Sequence, residues 1–118
     1  MSDVEKRRHH RFLALLEMKV APGEHVPADV KLTTIDISSG GARCASNRPL
    51  DSDLSLKVML SLVGGDLRGP ASVEVEARVL RCKDRPQEMP TRRYEISLQF
   101  TRIEAEDRKR LQVFLNGL

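Results

Sequence analysis

Two short stretches carry side chains whose types and spacing could do chemistry. The first is EKRRHHRF at residues 5–12, where four of eight residues are Lys or Arg and two are His. Arg7 and Arg11 frame an Arg-x-x-x-Arg spacing, and Arg8 doubles its first member. A guanidinium is a planar fork of donors that matches a phosphate bidentately. The second stretch is DISSGG at residues 36–41, of the form Asp-x-Ser-x-x-Gly. Asp36 offers a carboxylate acceptor, and Ser38 offers a hydroxyl that donates or accepts. Gly40 and Gly41 allow positive φ and close backbone approach. Taken alone, the first stretch reads as a solvated tail. The second alone reads as a turn in which Asp and Ser bond their own backbone.

The elements around these stretches decide whether they can meet. Residues 1–10 are polar and read as a mobile basic arm. Phe12 to Val20 reads as a first strand without clean alternation, and APGEHVPAD (21–29) as a loop. VKLTTIDI (30–37) is β-branched and reads as a second strand; SSGGA breaks it, and ARCAS (42–46) is a short third one. In LSLKVMLSLV (54–63) Leu54, Leu56, Val58, Leu60 and Leu62 alternate with polar residues and Met59, the period of a sheet. GGD (64–66) turns the chain. ASVEVEARVLRC (71–82) alternates again, with a break near Leu80 that suggests a bulge or register change. After the loop KDRPQEMPT (83–91), RYEISLQF puts Tyr94, Ile96, Leu98 and Phe100 on one face. The period then changes. Leu111, Phe114, Leu115 and Leu118 are spaced as a helical stripe, with Glu104, Glu106 and Asp107 in the first turn, Arg108, Lys109 and Arg110 next, and Gly117 past the end.

About six consecutive strands and one helix point to an all-β domain, a small closed antiparallel barrel or strongly curled sheet. The helix, at about 104–116, would lay its apolar stripe on an open end or face. Residues 11–118 read as one domain behind the arm of residues 1–10.

Composition narrows the function classes. The chain has 118 residues, 31% of them charged, and a formal net charge of +3. Aromatics are only 3%, too few for a base-stacking platform on single-stranded nucleic acid. No apolar run approaches a bilayer span, and the N-terminus has no signal-peptide core, which points to the cytoplasm. Cys44 and Cys82 lack metal-ligand spacing and read as buried thiols. His9 and His10 have no third ligand nearby, and His25 reads as surface, so neither a metal nor a cofactor is implied. His10, Asp36 and Ser38 make a triad only on paper, so the chain does not read as an enzyme.

Together the two stretches say more than either alone. Arg7-x-x-x-Arg11 immediately precedes the first strand, and Asp36-x-Ser38-x-x-Gly41 follows at a strand end. In this the chain resembles the PilZ domain, a bacterial receptor module for cyclic di-GMP. The resemblance runs nearly the whole length, through the RR doublet, DISSGGARC, and YEISLQF with its amphipathic helix. YEISLQF departs from the family, which often has Gly-Val near IS; that position is structural. The resemblance implies a six-stranded antiparallel split barrel with a C-terminal helix. It implies that Arg7, Arg8 and Arg11 bind cyclic di-GMP while Asp36, Ser38 and Gly41 close the pocket. An Arg fork also fits guanine O6 and N7, and a carboxylate can accept from the guanine N–H groups. A downstream protein partner is implied as well. The competing readings are a small basic β-barrel that binds RNA or DNA, and a PilZ-like adaptor that binds only protein.

Overall fold

Alternation sorts the side chains into an inside and an outside, and the strands close the sheet on itself. A computed structural model describes residues 12–62 and 72–117 of the chain. The strands are β1 (Phe12–Leu13), β2 (Glu17–Val20), β3 (Leu32–Ile37), β4 (Gly41–Ser46), β5 (Ser55–Ser61), β6 (Ser72–Asp84) and β7 (Tyr94–Ile103). Helix α1 (Ala105–Asn116) follows. The order across the sheet is β1-β3-β2-β5-β6-β7-β4, and β4 also pairs with β3. Every pairing is antiparallel. β1 and β2 lie along successive parts of β3 and act as one barrel strand, so the wall is a closed six-stranded antiparallel barrel with a C-terminal helix. Closure through β3–β4 leaves, among the described residues, just the two-residue β1 with a single partner strand.

The expected first strand is therefore broken in two, and Thr34 explains how the break is tolerated. Its buried hydroxyl donates to the Ala14 carbonyl at 2.6 Å and accepts from the Leu16 N–H at 2.8 Å. One side chain satisfies two backbone groups that a regular ladder would have paired. Opposite it, the β3–β4 register shifts between Thr34 and Asp36, which leaves Ile35 as a bulge. A second bulge lies in β6, where the register with β7 shifts between Val79 and Arg81. That is the break expected near Leu80. A further shift, between Glu76 and Ala77, has no counterpart in the sequence pattern.

The inward set is apolar. Leu56, Val58 and Leu60 of β5, Val73, Val75, Ala77 and Val79 of β6, and Ile96 and Leu98 of β7 share one core with Leu111, Phe114 and Leu115 of α1. Apart from Ala77, each such side chain contributes about 1.5–3 kcal/mol by leaving water. The helix thus lays Leu111, Phe114 and Leu115 on the barrel as expected, while Leu118 lies outside the described residues; Asp107 ties the helix there by accepting the Glu74 N–H at 3.3 Å. Glu106 and Asp107 fall in its first turn as expected, while Glu104 is the N-cap. Arg110 pairs with Asp107 three residues earlier, and the last turn holds no base. Gly117 ends the helix in the ordinary right-handed region, with φ −88°. Cys44 is buried, but Cys82 is only half-buried, so just one thiol belongs to the core.

Candidate functional site

The hairpin β3–β4 carries the second motif and fixes each member by a different contact. Asp36 lies at the outer end of β3, 7% exposed, and its Oδ2 is 2.9 Å from a terminal nitrogen of Arg43 on β4. Ser38 turns inward to the hairpin. Its N–H donates to the Gly41 carbonyl at 2.8 Å, its Oγ donates to the same oxygen at 3.3 Å, and its Oγ accepts the Gly40 N–H at 3.2 Å. The serine therefore braces the turn, as the structural reading of the motif requires. Gly41 is needed for close approach: a Cβ there would stand 2.4 Å from the Leu98 carbonyl oxygen across the β4–β7 pairing. Its φ is not in the left-handed region.

The register sets these residues in a row around the outer wall. Leu13 pairs with Asp36, Asp36 with Arg43, Arg43 with Ser97, and Ser97 with Arg81. Paired residues of antiparallel strands share a face, and this row forms the floor of a cleft of about 480 Å³, with Phe12 and Leu80 also on its walls. The cleft is acidic at Asp36, basic at Arg43 and Arg81, and apolar where Leu13 and Leu80 stand 85% and 50% exposed.

Arg43 was not singled out in the sequence, yet it lies at the centre of the row. It bridges Asp36 at 2.9 Å and approaches Glu95 at 3.9 Å. Its Nε is buried and has no hydrogen-bond partner among the described residues. Burial first, and then the Asp36 charge, push the neighbouring Cys44 thiol up to about 12. That thiol is inert at neutral pH. Arg81 was also missed. The outward face of β4 and β6 at these positions depends on cross-strand register, which a single strand pattern does not carry.

Arg7, Arg8 and Arg11 lie outside the described residues, as do His9 and His10. Asp36, Ser38 and Gly41 are brought together in one hairpin. Among the described residues no cluster of three His, Cys, Asp or Glu could hold a metal ion, and no helix is long and apolar enough to cross a membrane.

A closed antiparallel barrel with a C-terminal helix and a charged cleft on its outer wall defines the class by its fold: a small closed β-barrel module. The chain matches the PilZ domain family over residues 5–117, and it belongs to that family. Two solved structures share the fold. The Bacillus subtilis inhibitor of motility MotI/DgrA superposes with a TM-score of 0.69 at 24% identity, covering 94% of this chain and 48% of that one. This chain thus spans about half of that protein. The PilZ domain of YcgR from Escherichia coli, solved with c-di-GMP, superposes with a TM-score of 0.70 at 14% identity, covering 96% and 91%. No curated protein matches the chain.

Proposed function

We propose that the protein is a cyclic di-GMP receptor that changes conformation on binding and signals to a protein partner. The observation that carries this reading is the register at the start of the barrel. Phe12 pairs with Ile37 and Leu13 with Asp36. Arg11 is the next residue back from Phe12, one Cα step of about 3.8 Å. Because Arg11 directly precedes Phe12 in the sequence, and Phe12 lines the same cleft as Asp36, this register supports a role for the arginine motif beside the second motif. The ligand carries two phosphates and two guanines. Arg7, Arg8 and Arg11 supply forks for phosphate and for guanine O6 and N7. Asp36 supplies an acceptor for guanine N–H groups. A carboxylate has lone pairs for more donors than a single guanidinium takes up. Ser38 and Gly41 contribute by shaping the hairpin that presents Asp36. Closure of residues 1–10 on the barrel would create a surface for the partner.

The Ser38 hydroxyl is bonded within its own turn, and Asp36 pairs with Arg43. The cytoplasm fits a receptor for an intracellular nucleotide.

The test is a variant series. Arg7→Ala and Arg11→Ala should each weaken cyclic di-GMP binding by about 1.5–3 kcal/mol, the scale of a lost charged hydrogen bond. Asp36→Ala should weaken it as well. The melting temperature of the free Arg7 and Arg11 variants should stay close to that of the parent. Unchanged affinity in both arginine variants would remove the arm from the site.

A further inference from the structure

The bulge in β6 does something that strand alternation forbids. Along β6, Val75, Ala77 and Val79 point inward and are buried, so Leu80 points out and Arg81 should point in. The bulge at Leu80 resets the phase, and both Leu80 and Arg81 are exposed. An apolar and a cationic side chain therefore stand next to each other on the cleft wall. The bulge at Ile35 works the same way at the other end of the row, directly before Asp36. Bulges commonly re-aim side chains beside binding sites.

Arg81 also differs from the other arginines around it. Arg43 pairs with Asp36, Arg78 with Gln99, Arg85 with Glu88, and Arg93 with Asp84. Among the described residues Arg81 has no hydrogen-bond or ion-pair partner. It is an uncommitted fork on a cleft wall, next to an exposed leucine. From Asp36 to Arg81 the row crosses three strand spacings, about 14 Å. One mononucleotide edge cannot be read by both.

We infer that Arg81 and Leu80 read the second guanine of the bound dinucleotide, the one away from Asp36. Leu80 gives the ring a flat apolar contact, and the Arg81 guanidinium donates to O6 and N7. This inference rests on the cyclic di-GMP reading. It adds a specificity-determining pair that neither sequence motif contains.

Titration calorimetry with cyclic di-GMP and with the mixed cyclic GMP–AMP tests it. The mixed ligand presents adenine, which lacks O6, at one end. The parent protein should prefer cyclic di-GMP by about tenfold or more. Arg81→Ala should lower cyclic di-GMP affinity by at least about tenfold and bring the two ligands to within about twofold of each other. Arg81→Lys keeps the charge but loses the fork, and should behave like the alanine variant. Arg108→Ala, an exposed helix arginine, should bind as the parent does. The melting temperature of the Arg81 variants should be unchanged, because the side chain is exposed and unpaired. If Arg81→Ala keeps the parent's affinity and preference, or Arg81→Lys restores them fully, the inference is overturned while the receptor reading stands. If the parent ignores cyclic di-GMP altogether, both fall.

Discussion

Gly41 separates a motif's ligand role from its structural role. A glycine in Asp-x-Ser-x-x-Gly invites the view that it clears space for a ligand. Here the space is taken by the Leu98 carbonyl, 2.4 Å from where a Cβ would be. Backbone cannot yield as a flexible side chain does. Gly41→Ala should therefore cost the free protein about 1–3 kcal/mol in urea unfolding, the scale of overpacking. Unchanged stability would mean that β4 and β7 can spread apart without cost. The Cys44 thiol makes a pH prediction. In the folded barrel it keeps its proton to about 12, against 9.0 for an unperturbed thiol. The unfolded chain therefore ionises first. The thiol's contribution is fully present below about pH 9 and is lost as pH rises from there toward 12. Unfolding free energy measured across this window should fall less steeply for Cys44→Ala than for the parent. Equal slopes would show that Cys44 is not the group responsible. At this scale the sequence made Asp36 legible, because its motif is local. It left Arg43 and Arg81 hidden, because their place in the cleft comes from partners far along the chain.

At the scale of elements, what could be read was periodicity. Period two in β5 and the three-four spacing of Leu111, Phe114 and Leu115 were visible because each is set by neighbours a few residues away. The irregular pieces were visible only as gaps in pattern. The weak alternation of residues 12–20 turned out to be two strands joined through the Thr34 hydroxyl, a contact 18 to 20 residues away in sequence. The break near Leu80 was legible as a bulge, but its consequence for Arg81 needed the β6–β7 register. The basic arm is the element on which the proposed switch depends. Lys6, Arg7, Arg8 and Arg11 are all trypsin sites. Saturating cyclic di-GMP should slow cleavage there markedly and leave cleavage in the 83–93 segment nearly unchanged. Equal cleavage of the arm with and without ligand would move the switch into the barrel.

At the scale of the whole molecule, the closed wall gives rigidity and the outer row gives chemistry. The strands that carry Leu13, Asp36, Arg43, Ser97 and Arg81 share one core through buried neighbours such as Ile37, Cys44, Ile96 and Val79. A row held by the core keeps its spacing when the ligand arrives, so little binding energy is spent on ordering the barrel. The family assignment and the fold are established by the match over residues 5–117 and by the barrel itself. The ligand is the central proposal. Isothermal titration of the intact chain with cyclic di-GMP, with cyclic di-AMP as the control, tests it most directly. The account predicts micromolar or tighter binding of cyclic di-GMP, about −8 kcal/mol or better, and far weaker binding of cyclic di-AMP. Absence of binding, or equal affinity for the two dinucleotides, would contradict it.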